Sequence, residues 1–273
     1  MLSKSLKHEF RATSRVMLPI FIAMILLSLA AHFATVLLAG DNLPRFLEGI
    51  SVTVIALFIV GLVAAAVSVI ALTVVRFYRS FLSDEGYLNM TLPVSVNTHI
   101  SSRLIVSVVW YTLTAIAGVL CVMLMAMGLN QWKEFWTGLA DLFRQIKASG
   151  MTGHAILLGL EMLISCVISS AFTSLMLYAA LAVGHSFNRH KKLLSVVFAF
   201  VFYYAVQILS TLGIVALTQH DWTSLTAKFD LEPLKVIPFM EGMMGIGILI
   251  VLLLCAVFYF ITHHFLSRKL NLE

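Results

Sequence analysis

The chain has 273 residues, 60% hydrophobic and only 11% charged, with a net charge of +5 and a mean hydropathy of +0.99. Soluble domains run at about 45–50% apolar and about 25% charged residues. A chain with so little polar surface cannot be covered by water, which excludes a soluble globular enzyme or binding domain and requires lipid over much of the surface.

Lys4, Lys7, Arg11 and Arg15 precede an apolar run over residues 16–38. That run exceeds the signal-peptide core of about 7–15 residues, and no small-x-small cleavage site follows it, so a retained first span is expected. Leu2, Leu6, Phe10 and Met17 share one helical face, away from Lys4, Lys7 and Arg11. This spacing predicts an N-terminal interfacial helix before the chain turns into the bilayer. A membrane helix needs about 20 mostly apolar residues, and six runs qualify: 16–38, 50–75, 104–128, 155–183, 193–217 and 240–263. Continuous apolarity without period-2 alternation favours helices over a barrel. The expected fold is therefore all-α, a polytopic single transmembrane domain over 1–273.

The connection over residues 76–103 reads RFYRSFLSDEGYLNMTLPVSVNTHISSR. Arg76 and Arg79 are expected to prolong the second helix past the membrane. Ser83, Asp84, Glu85 and Gly86 break it, with Gly86 free to take a left-handed conformation. Pro93 biases Leu92 toward extended geometry, and Ser95 can cap a helix running through Asn97, His99 and Ser101 into the third span. The expected product is a compact helix–turn–helix, suited to take a mechanical push from a soluble partner or simply to close a loop.

Past the third span, Trp132, Phe135, Trp136, Leu139, Leu142, Phe143 and Ile146 recur at three- and four-residue steps, with Gly150 as a stop. This predicts an amphipathic helix over 131–148, lying on the outer leaflet with its tryptophans at headgroup level or capping an outward cavity. In the fourth span Glu161 is the one acidic residue well inside an apolar run. Ionisable groups there usually face the protein interior or a water-filled cavity, so Glu161 either lines a path or binds a cationic substrate, or tunes helix packing as a protonated or locally hydrogen-bonded side chain. Glu241, at the start of the sixth span, reads as interfacial. The methionines at 123, 125, 127, 240, 243 and 244 read mainly as packing residues, and small residues at 61–66 and 165–174 permit close helix approach.

Orientation follows from the basic residues. With both ends inside, twelve of the eighteen Lys and Arg residues fall in cytoplasmic segments, and Arg45, Lys133, Arg144, Lys147, Lys228 and Lys235 fall outside. The positive excess lies where anionic lipid headgroups are and calls for no nucleic acid. Cys121, Cys166 and Cys255 all lie in apolar runs, an odd set without disulfide or metal spacing. No H-E-x-x-H helix or G-x-S-x-G elbow is present.

The stretch FLSDEGYLNMTLPVS resembles the inner loop of small six-span permease subunits of ABC-2-type ABC transporters from Gram-positive bacteria, and KHEFRATSRVMLP is similar to their N-terminal entry helix. About 28 residues match closely; the rest matches in span count, loop length and topology. The resemblance implies an ABC-2 exporter-like fold and a non-catalytic permease subunit in the bacterial cell membrane. It implies pairing with a second permease subunit, as homo- or heterodimer, and with two copies of a cytoplasmic ABC ATPase. Asp84, Glu85, Gly86, Tyr87, Leu92, Pro93 and Ser95 would then face or shape the ATPase contact. The substrate does not transfer with the resemblance; peptides, drugs and lipids are all exported by such subunits. The chain has no G-x-x-x-x-G-K-[ST] phosphate loop, so no cofactor is expected on it, and ATP and Mg would sit on the partner ATPase. Alternatives are an intramembrane enzyme, which would need polar residues clustered at one depth, a proton-driven transporter, which would show repeated halves, and a non-transporting sensor or immunity partner.

Overall fold

The computed structural model describes residues 2–40, 44–82, 96–187, 189–218 and 237–268, without side chains at 2–5, 129–130, 214, 216–218, 239 and 268. Among the described residues seven helices run in order: α1 (Leu2–Leu38), α2 (Arg45–Phe81), α3 (Val96–Ala126), α4 (Leu129–Ala148), α5 (Thr152–Gly184), α6 (Lys191–Thr218) and α7 (Ile237–Arg268). Six of them, all but α4, are long and apolar enough to cross a membrane. The protein is an all-α, multi-pass membrane protein. Five of the span helices contain their predicted runs and extend them at one or both ends, because polar residues beyond an apolar run continue hydrogen-bonding helically where the chain leaves lipid; α3 begins before its run but ends at Ala126, two residues short of the predicted 128.

The N-terminal stretch is helical, but no turn separates it from the first span. Pro19 lies inside α1 without ending it. The expected interfacial helix is thus the first part of a single 37-residue helix, held by packing: Leu6 and Phe10 lie against Met17, Val69, Val106 and Trp110. Trp110 Nε1–H donates to Thr13 Oγ1 at 2.7 Å, and Thr13 in turn donates to Glu9 O at 2.8 Å. The acceptor satisfies the indole N–H that burial would otherwise leave unpaired.

The chain divides into two compact units, Met1–Val75 with Ile105–Leu142, and Arg76–Leu104 with Phe143–Glu273. In the first unit α1 and α3 run parallel, fastened by Ser28 Oγ–H to Cys121 O at 2.7 Å and by His32 Nδ1–H to Met125 O at 3.2 Å. Met24, Ala31, Phe58, Ala65 and Cys121 form a core beside them. At Gly61 a Cβ would stand 3.0 Å from Leu27 Cδ1, so this glycine sets the approach of α2 to α1. An apolar groove of about 530 Å³ opens among Met24, Leu62, Val69, Thr114 and Gly118. In the second unit α5 packs against α6 and α7. The pairs His154–Glu241, Ile168–Cys255 and Phe172–Phe258 show α5 and α7 running parallel at a nearly constant offset.

Helix α4 matches the amphipathic segment predicted over 131–148. It ends at Gly150, whose φ of 73° is left-handed, as a helix-terminating glycine requires. Leu26, Phe33, Val60, Leu163, Leu253 and Phe260 are each more than 60% exposed, an apolar surface of the kind that lipid or another protein covers.

Candidate functional site

Asp84, Glu85, Gly86, Tyr87, Leu92, Pro93 and Ser95, the tip of the predicted elbow, all lie outside the described residues. Its two stems lie within them. α2 continues past Arg76 to Phe81, with Leu82 N–H donating to Tyr78 O at 2.8 Å, and α3 begins at Val96.

These stems are rooted in the best-buried part of the second unit. The three largest fully buried side chains among the described residues are Tyr178, Phe77 and Phe81. Phe77 stacks on Tyr178 of α5 with ring centroids 4.1 Å apart and planes 11° from parallel. Phe77 also meets Phe81 at 4.9 Å, and His99 of α3 meets Phe81 edge-on at 6.3 Å. Arg103 is buried, with its guanidinium 4.8 Å above the Phe81 ring and Nη1 donating to His99 O at 3.2 Å. A guanidinium stacks on an aromatic face where an ammonium would demand water. Tyr259 of α7 reaches the same root, donating to Asn97 Oδ1 at 3.1 Å.

The far side of the root is the elbow between α5 and α6. α5 is buried continuously from Tyr178 to Gly184. Gly184 faces the Ser195 backbone so closely that any Cβ would collide with Ser195 N and Cα. His185 Nδ1 lies 3.0 Å from both Leu181 O and Ser195 Oγ. Since a carbonyl only accepts, Nδ1 carries the proton, and the Ser195 hydroxyl donates onward to Lys191 O at 3.0 Å. Tyr78 of α2 packs on the His185 ring at 5.3 Å, and Lys192 Nζ lies 5.9 Å from the Tyr78 ring. Burial holds the His185 pKa below its ordinary value; the bond to Leu181 O works the other way, and the charges of Lys191 and Lys192 depress it further. A serine and histidine at this distance would suggest a nucleophile and its base. Here the hydroxyl is buried and committed to its own helix, so the pair fastens the elbow.

No protein-family model, curated protein or solved structure matches the chain. The site is therefore read from its geometry alone.

Glu161 lies apart from this root, on the seam between α5 and α7. A Cβ added to Gly245 would stand 3.4 Å from Glu161 Oε1, and Oε2 is buried without a hydrogen-bond partner. Seven residues earlier on the same helix face, His154 Nδ1–H donates to Glu241 Oε2 at 2.7 Å, so Glu241, expected as an interfacial residue, has a hydrogen-bond partner on α5. Among the described residues no three His, Cys, Asp or Glu side chains form a group able to hold a metal.

Sequence reasoning named the elbow tip and missed its root. The only available signal was the aromatic spacing Phe77, Tyr78, Phe81 just past a basic residue. Nothing in the sequence pairs Phe77 with Tyr178, or His154 with Glu241 across 87 residues.

Proposed function

We infer that the chain is the transmembrane permease subunit of an ATP-driven ABC exporter of the ABC-2 type, working with separate ATPase subunits. In this reading it sits in a bacterial cell membrane with both ends in the cytoplasm, and pairs with a second permease subunit. ATP binding closes two ATPases against the connection between α2 and α3, and the movement opens a path for a peptide, drug-like or lipid-like molecule.

The observation that carries the reading is the rooting of the two stems. A connection meant only to close a loop needs no buried base. Here α2 and α3 enter a cluster of Phe77, Phe81, Arg103 and Tyr178 that continues through His185 into the elbow of α5 and α6. A displacement at the tip therefore reaches two further spans through close-packed side chains, which transmit strain because interiors are dense.

The test is purification from native membranes in mild detergent. The chain alone should hydrolyse no ATP, and an ATPase should co-purify with it. Gly86→Val, or Asp84→Lys with Glu85→Lys, should abolish coupled transport while the protein remains folded and in the membrane. Normal transport by those variants would remove the connection as the coupler.

A further inference from the structure

We propose that the seam between α5 and α7 is a binding site for a cationic amphiphile, whose ammonium group pairs with Glu161 and whose apolar tail lies on the exposed flanks of the two helices. Three observations converge on it. The first is the unmet carboxylate. α5 carries several other polar groups in its apolar stretch, and Ser165, Ser170, Thr173 and Ser174 each donate to a carbonyl three or four residues back on their own helix. Their hydroxyls ask for no ligand. Glu161 makes no such bond, and its Oε2 is buried and unbonded.

The second is the shape of the seam. Gly245 faces Glu161 and presents no side chain to it: an added Cβ would stand 3.4 Å from Oε1, so the space beside the carboxyl group is about that of one methyl, the size of an ammonium head. Above it, about 10 Å nearer the start of α5 by helical rise, the His154–Glu241 pair spans the mouth. His154 is the more exposed partner, with about half of its side chain reachable, so the pair can open without dismantling the core. Beyond Glu161 the seam is closed. Cys255 meets Ile168, and Phe258 is gripped between Phe172 at 5.7 Å and Phe202 at 5.4 Å. A head group can reach Glu161 and go no farther, which makes this a site rather than a channel.

The third is its surroundings. Leu160, Leu163 and Ile164 beside Glu161, and Leu249 one turn past Gly245, are all about half exposed or more. A cation without a tail gains nothing from such a border. One with an alkyl chain buries that chain along it while its charge meets the carboxylate.

As a binding site this stands without the permease reading; as the substrate class of an exporter it rests on that reading. The experiment is equilibrium binding of radiolabelled dodecylamine to the full chain in phosphatidylcholine nanodiscs, corrected with empty discs, with dodecanol as the uncharged control. Saturable binding of the amine and none of the alcohol is expected. Glu161→Gln should weaken binding at least tenfold, Glu161→Asp much less, and Gly245→Leu should block the site with the carboxylate intact. Equal binding by wild type and Glu161→Gln, or equal binding of amine and alcohol, overturns the proposal. The binding assay contains no ATPase, so the two readings fail separately: absence of an ATPase in the purification from native membranes sinks the permease reading and leaves the site standing, and absence of saturable amine binding sinks the site alone.

Discussion

At Gly184 and His185 a few atoms decide how α5 turns into α6. Gly184 touches the Ser195 backbone, so no rotamer change can relieve a new methyl group there. Gly184→Ala should cost about 1–3 kcal/mol, the range for overpacking, and should lower the melting temperature in detergent; an unchanged value would show that the elbow opens easily. His185 gives a second expectation. Its folded pKa lies below the ordinary 6.5, chiefly through burial, so the unfolded chain takes up a proton that the folded chain resists. Stability from this group is therefore complete above pH 6.5 and declines as pH falls below it. His185→Asn, which keeps a donor near Leu181 O, should flatten that acid slope in thermal unfolding. A variant with the wild-type slope would assign the dependence to another group.

At the scale of elements, one stacked ring pair joins α2 to α5. Phe77 and Tyr178 are both buried, and their parallel stack adds about 0.5–1.5 kcal/mol to what burial contributes. Tyr178→Ala should destabilise the protein by about 3 kcal/mol or more, as large-to-small changes in tight cores do, whereas Tyr178→Phe keeps the stack and should be mild. The informative measurement is not stability alone. In the inferred exporter, Tyr178→Ala should lower transport per ATP hydrolysed, since α2 would still be pushed while α5 no longer follows. Unchanged coupling in a folded Tyr178→Ala protein would place force transmission elsewhere. α1 teaches a related lesson. Its first four turns follow the apolar face of Leu6, Phe10 and Met17 onto Val69, Val106 and Trp110 instead of a lipid surface. The hydrogen bond from Trp110 to Thr13 gives that docking a polar anchor that lipid would not supply.

For the whole molecule, the distribution of basic residues makes a prediction about sidedness. Ser149 follows α4 and Arg189 lies between α5 and α6, at opposite ends of α5. In a background lacking Cys121, Cys166 and Cys255, a cysteine at position 149 should react with an impermeant maleimide in intact cells. A cysteine at position 189 should react only after permeabilisation. The reverse pattern would invert the topology and put the connection between α2 and α3 on the wrong side for any cytoplasmic motor.

How much of this was legible beforehand divides along the range of the interactions. The six spans, the amphipathic α4 and its end at Gly150 follow from apolar run length, helical periodicity and glycine's backbone freedom, all of which act within a few residues, and the chain alone determined them. The same local rules placed the end of α2 and the start of α3 on either side of the elbow. They could not anticipate that Phe77 stacks on Tyr178, that Glu241 pairs with His154, or that Glu161 faces a glycine on α7. Every apolar residue in a span looks alike to a hydropathy pattern, because lipid and protein neighbours are equally dry. Only the tertiary structure decides which of those faces meets a helix and which meets the bilayer, since that choice depends on shape and on hydrogen-bond partners lying many turns away.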